Sequence, residues 1–192
     1  MNNETRRAKE DARAARSKAL IKEALLAVTR ERPFAEVTVT ALCAQAGVGR
    51  QTFYRHYKNT SDVLDEALDE ALEKMRSVIE QVDAAPLGGC RNCSATFCSF
   101  VRENERYRSL FMDDALAARI VEKLVPSTCG DYRRKLTGAC TLTDEQLEGV
   151  VFFQLAGCLA SAKRAASLDL ERWERIQNAI DHYVKGGIES LG

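Results

Sequence analysis

The chain has 192 residues, 45% of them hydrophobic, and carries 28 basic against 28 acidic side chains. That is enough apolar material for a substantial core, and a net charge of zero argues against a uniformly basic nucleic-acid protein. No apolar run approaches the roughly 18 to 20 residues that span a bilayer, and the polar start resembles no signal peptide, so a cytoplasmic protein with its seven cysteines reduced is expected, with no membrane partner.

The zero conceals an asymmetry. Residues 1–58 hold twelve Lys or Arg against six Asp or Glu, and the remainder carries the compensating negative charge. A basic segment attracts a polyanion by releasing its counterions, whereas an acidic body stays off it and fixes which face approaches.

Residues 1–16 form a polar arm rich in Arg, Lys, Glu and Ala, with no apolar face. It reads either as a solvated helical extension that frays, or as an arm in which Arg6, Arg7, Arg13 or Arg16 reaches DNA phosphates or a minor groove. From Ser17, the residues Leu20, Ile21, Ala24, Leu25 and Val28 recur at helical spacing until Pro33 intervenes.

A second helix of about two turns is capped by Thr38, faces inward with Val39, Leu42, Cys43 and Ala46, and stops at Gly47. After Val48 and Gly49, residues 50–58 place one core anchor, Phe53, among Arg50, Gln51, Thr52, Tyr54, Arg55, His56, Tyr57 and Lys58. These are too many donor-rich groups for an ordinary surface helix, and they are the types that read base edges and grip phosphates.

The run of Thr38-Val39, Leu42-Cys43, Ala46-Gly47-Val48, Thr52-Phe53-Tyr54, Tyr57 and Val63-Leu64 resembles the helix-turn-helix of the TetR family of bacterial transcriptional regulators. The chain departs from that pattern at Thr60, where the family usually has a phosphate-binding lysine, and at Gly49, where it often has serine. Thr60 and Ser61 are expected to cap the next helix and keep the contact in neutral form, with Lys58 carrying the charge. Tyr57, His56 and Lys58 are the expected phosphate contacts, and Arg50, Gln51 and Tyr54 the expected base contacts. By resemblance, Thr38 and Thr52 join the phosphate set.

From Val63 to Ile79 an apolar stripe of period near 3.6 predicts a long helix. In the resembled family this helix is the lever through which an effector changes the separation of two recognition helices. The fragment around Pro86 and Gly88-Gly89 marks a loop, and Phe97 to Met112 reads as helical with an interruption near Asn104. A helix from Ala115 is expected to end at Pro126, followed by a polar stretch to Thr141. Thr143 and Gln146 form a capping-box signature for a helix that is apolar almost all round from Val150 to Ala160, and a last helix starts near Leu170.

These two final helices carry surplus apolar surface and predict a four-helix homodimer interface, through Val151, Leu155, Gly157, Leu159, Trp173, Ile176, Ile180, Tyr183 and Val184. The resemblance implies the same, and a two-fold dimer pairs two readers for a palindromic operator. Phe97, Phe100, Tyr107, Phe111, Met112, Tyr132, Phe152 and Phe153 either line a cavity for a small-molecule effector or form plain core.

The expectation is an all-α regulator of double-stranded DNA: a polar arm at 1–16, a three-helix DNA-binding domain at 17–60, and a helical regulatory and dimerisation domain at 61–192. The resemblance implies a repressor released by an unknown effector. Two alternatives stay open. Cys90, Cys93 and Cys98 could make a redox or soft-metal sensor, although no second cysteine pair has metal spacing and only two histidines exist. The fold could also bind DNA without any effector. No phosphate loop, nucleophile elbow or paired acids suggest an enzyme, and no cofactor is expected.

Overall fold

A computed structural model describes residues 2–83, 100–102, 104–135 and 142–189, and all regular structure among them is helical. The chain divides into two compact units, Met1–Ala71 and Leu72–Gly192.

In the first unit, α1 spans Asn2–Val28. The polar arm is thus the first half of this helix, consistent with the strong helix propensity of Ala, Arg, Lys and Glu. Ile21, Leu25 and Leu26 are buried, and a 3-10 turn at Phe34–Glu36 leads to α2, Val39–Ala46. The Thr38 hydroxyl caps α2 by accepting from the Ala41 N–H at 3.2 Å.

At the other end of α2, Gly47 adopts φ 65°, a left-handed conformation that disfavours a side chain. This lets the Gly47 N–H reach the Ala44 carbonyl at 3.3 Å and the Val48 N–H reach Cys43 at 3.1 Å, the paired bonds of a Schellman stop. The next helix, α3, is Arg50–His56, and α4 is Thr60–Asp83. Leu42, Phe53, Val63, Leu64 and Leu68 are all fully buried.

The cap of α4 differs from expectation. Asn59 accepts from the Asp62 N–H at 3.0 Å, and Asp62 in turn accepts from the Lys58 N–H at 2.8 Å. Asn59 therefore holds this end, and Thr60 is the first helical residue.

In the second unit, α5 is Arg108–Met112, α6 is Ala117–Lys135, α7 is Asp144–Ala165 and α8 is Leu170–Glu189. The interruption near Asn104 is present, with its side chain accepting from the Tyr107 N–H at 3.4 Å. Pro126 does not end its helix: α6 runs through it to Lys135. The ring is exposed, and buried Ile120, Val121, Leu124, Val125 and Tyr132 favour continuation against a proline cost of about 3 kcal/mol. The Thr143–Gln146 capping box forms in both directions, at 3.3 and 2.9 Å. From it α7 packs along α6, burying Leu147, Val151, Leu155, Cys158, Ala162 and Ala165 at spacings of three and four.

Candidate nucleic-acid interface

Phe53 fixes the phase of α3. Its ring is fully buried, and Tyr54 meets it edge-on at 5.5 Å while remaining 59% exposed. Arg50, Gln51 and Lys58 are exposed, and Thr52, His56 and Thr60 are half-buried. The short helix α3 thus displays a guanidinium, an amide and a phenol, and the Lys58 ammonium follows two residues past its end. The Arg50 guanidinium donates to the Thr40 hydroxyl on α2 at 2.7 Å, which steadies it while leaving other N–H donors available. Thr38 is exposed, and with its oxygen accepting from Ala41 its hydroxyl proton remains available to donate.

Tyr57 requires a correction. The expected phosphate contact is 4% exposed, and its ring packs against Phe53 at 5.9 Å. The reason is phase: Tyr57 lies four residues after Phe53 and shares its face. Its hydroxyl donates to Glu66 Oε2 on α4 at 3.0 Å, so the side chain joins α3 to α4.

Glu66 is the centre of a network that sequence reasoning missed. It accepts from Lys18 at 2.7 Å and from Lys22 at 3.0 Å, and Lys22 also binds Glu70. The Lys18 ammonium lies 5.4 Å from the Tyr57 ring centre. Burial opposes the Glu66 charge, but hydrogen bonds from Lys18, Lys22 and Tyr57 outweigh it and hold the carboxyl below its ordinary range. Burial also opposes the Lys22 charge, yet Glu70 and Glu66 leave its pKa raised. Burial, with the Glu66 charge behind it, pushes the Tyr57 phenol up. The available signal was the matched spacing: Lys18 and Lys22, Glu66 and Glu70, each one helical turn apart.

In the second unit, Phe100, Tyr107, Phe111 and Tyr132 are buried and Met112 half-buried, with the Phe100 and Phe111 rings edge-on at 5.9 Å. Tyr132 donates to Gln154 on α7, whereas the buried Tyr107 hydroxyl has no partner among the described residues. Phe152 and Phe153 do not join this cluster. They are 45% and 69% exposed, outside the buried stripe of α7.

The expected interface residues divide likewise. Val151, Leu155, Leu159 and Trp173 are buried within their own chain, which removes them from any outer surface. Ile176, Tyr183 and Gly157 are exposed, and Ile180 and Val184 half-buried. Phe153, Gly157, Ile180, Tyr183 and Val184 line a groove of about 720 Å³ along α7 and α8. A helix apolar on two faces gives no sign of which one its own chain covers.

Phe97, Cys90, Cys93 and Cys98 lie outside the described residues. Among those described, no group of His, Cys, Asp and Glu could hold a metal ion, and no helix is long and apolar enough to cross a membrane. Cys43 and Cys158 are buried, and burial pushes the Cys129 thiol up, away from the reactive thiolate.

Residues 21–67 match the family of bacterial regulatory proteins described as the tetR family. No curated protein matches the chain. The matched segment begins inside α1, contains α2, the Gly47 turn and α3, and ends on α4 just past Glu66.

Proposed function

We propose that this chain, whose residues 21–67 form a TetR-family helix-turn-helix domain, is a homodimeric transcriptional regulator that places α3 in the major groove of a palindromic operator. The observation that carries this reading is the display on α3, where Phe53 is buried and Arg50, Gln51 and Tyr54 face outward, with exposed Lys58 just past its end. Arg50, Gln51 and Tyr54 reach base edges. His56, Lys58, Thr38, Thr52 and the N-terminal N–H groups of α4 at Thr60 hold phosphates.

Dimerisation uses the outer face of α7 and α8. Among the described residues of α8 only Trp173 is a buried apolar residue, while Ile176 is exposed and the 72% exposed Tyr183 lines the groove with Phe153. A second copy covers this apolar surface, and Gly157, which has open space where a Cβ would stand, lets the backbones approach.

The output is repression, relieved when a small molecule enters the second unit and moves α4. The Tyr107 hydroxyl, without a partner among the described residues, supports this part, because a buried polar group is normally satisfied and a bound molecule would supply the partner. The test is sedimentation of the full chain at micromolar concentration, followed by titration of a mixed duplex in low salt. A dimer that binds and releases as salt rises is expected; a monomer, or a dimer that ignores every duplex, contradicts the reading.

A further inference from the structure

Arg6, Lys9, Arg13 and Arg16 lie before the matched segment and recur at spacings of three, four and three, forming one stripe along α1. All four are exposed. Among the described residues only Arg6 has an ion-pair partner, Glu10 at 3.6 Å, and a solvated pair of this kind contributes little and leaves the charge available. The stripe buries nothing in the first unit, so packing does not account for it.

Its position follows from the contacts of α1 with α4. Lys18 pairs with Glu66, and Lys22 with Glu66 and Glu70, so the two helices run in the same direction here. From Glu66 back to Thr60 the rise is about 9 Å, and from Lys18 back to Arg6 about 18 Å. Thus Arg6 stands roughly 9 Å beyond the start of α4, at the end of the domain where Lys58 and Asn59 lead into that helix. Higher up α1, the same stripe continues through Leu20 and Ala27. These line a groove of about 270 Å³ with Gln45 and Ala46, the last residues before the turn into α3.

We infer that Arg6, Lys9, Arg13 and Arg16 form a second DNA-binding surface, a cationic rail for the phosphate backbone flanking the groove that α3 enters. The inference rests on the proposed function and deepens it. The stripe covers about 15 Å of helix, and one strand of duplex presents about four phosphates in that length. Guanidinium groups pair with phosphate oxygens through two N–H donors at once, and three of the four residues are arginine. An anionic lipid surface is disfavoured, because a helix lying in a membrane interface needs an apolar face to bury and this segment has none.

The test uses the full chain with Arg6→Gln, Lys9→Gln, Arg13→Gln and Arg16→Gln combined, and a control with exposed cations of the second unit removed, Arg164→Gln with Arg172→Gln. Circular dichroism establishes that each variant is folded. Affinity is then measured between about 50 and 200 mM salt for a duplex enriched by the unaltered protein, alone and with about ten base pairs added at each end.

The rail predicts roughly tenfold or greater weakening for the combined variant, and a slope of log affinity against log salt that is shallower by about 0.9 for every phosphate no longer neutralised. It also predicts that the unaltered protein gains from the added flanks, that the variant does not, and that the control matches the unaltered protein. Equal slopes and affinities for the combined variant overturn the rail and leave the proposed function standing. The same holds if the control weakens as much, or if the substitutions abolish binding to phosphatidylserine vesicles without touching DNA binding. Failure of the unaltered protein to enrich any duplex takes down the proposed function and the rail together.

Discussion

The Tyr57 hydroxyl donates to Glu66 across 3.0 Å, joining the residue that ends α3 to the second turn of α4. Because Lys18 and Lys22 hold the same carboxylate, three helices meet on one side chain. The hydrogen bond and the packed ring thus tie the first turns of α4 to the end of α3 across the three non-helical residues 57–59.

Removing the two ends of this link should have unequal effects. Tyr57→Phe keeps the ring against Phe53 and loses one hydrogen bond to a charged group, for a cost of about 1–2 kcal/mol. Glu66→Leu strips Lys18 of its carboxylate partner and leaves Lys22 with Glu70 alone, and should cost more, about 2–3 kcal/mol. Urea unfolding of both variants measures the difference; equal midpoints would show that the lysines do not depend on Glu66.

The network also sets a pH dependence. Glu66 has a lowered pKa in the folded chain, so its contribution is fully present above the ordinary carboxylate range and is lost as pH falls through the folded value. Lys22 and Tyr57 have raised values, so theirs is present below about pH 10 and lost as pH rises beyond it. Melting temperature followed from pH 7 to pH 3 should fall, and Glu66→Gln should flatten that acid limb. An unchanged slope in the variant would assign the acid loss to other carboxylates.

Just past α3, Lys58→Ala should weaken binding to all duplexes alike and make the salt slope shallower by about 0.9 if the ammonium neutralises one phosphate. Gln51→Ala should instead relax preference at particular base pairs by about 1–3 kcal/mol. Competition between enriched and random duplexes separates the two. Tyr57→Ala, by contrast, should unfold the first unit, since it removes a buried ring.

The two faces of α7 should respond differently to substitution. Phe153→Asp, at an exposed site, should dissociate the dimer and leave a folded monomer, whereas Leu159→Ala, buried in its own chain, should cost about 2–5 kcal/mol of stability. Light scattering and unfolding on the same samples distinguish these outcomes. A dimer that survives Phe153→Asp would place the interface elsewhere.

Features with a local chemical cause were legible in the chain: the Thr38 cap, the Gly47 stop, the Thr143–Gln146 box and the Phe53 anchor each need only neighbours within a few residues. Features set by tertiary contact were not. Tyr54 and Tyr57 look alike as aromatics on a short polar helix, and only their phase relative to Phe53 puts one outside and the other in the core. A proline at 126 predicts a stop, yet the buried stripe on both sides of it carries the helix through. For α7, periodicity could report an apolar surplus but could not say that Val151, Leu155 and Leu159 face inward while Phe152 and Phe153 face out.

The central claim is that two copies of α3, paired by a dimer, read one duplex. Selection of bound fragments from a random duplex pool by the full chain tests it most directly. The account predicts enrichment of inverted repeats whose half-site centres lie about one helical turn, or a multiple of it, apart. Recovery of single asymmetric sites, or no enrichment at all, would contradict it.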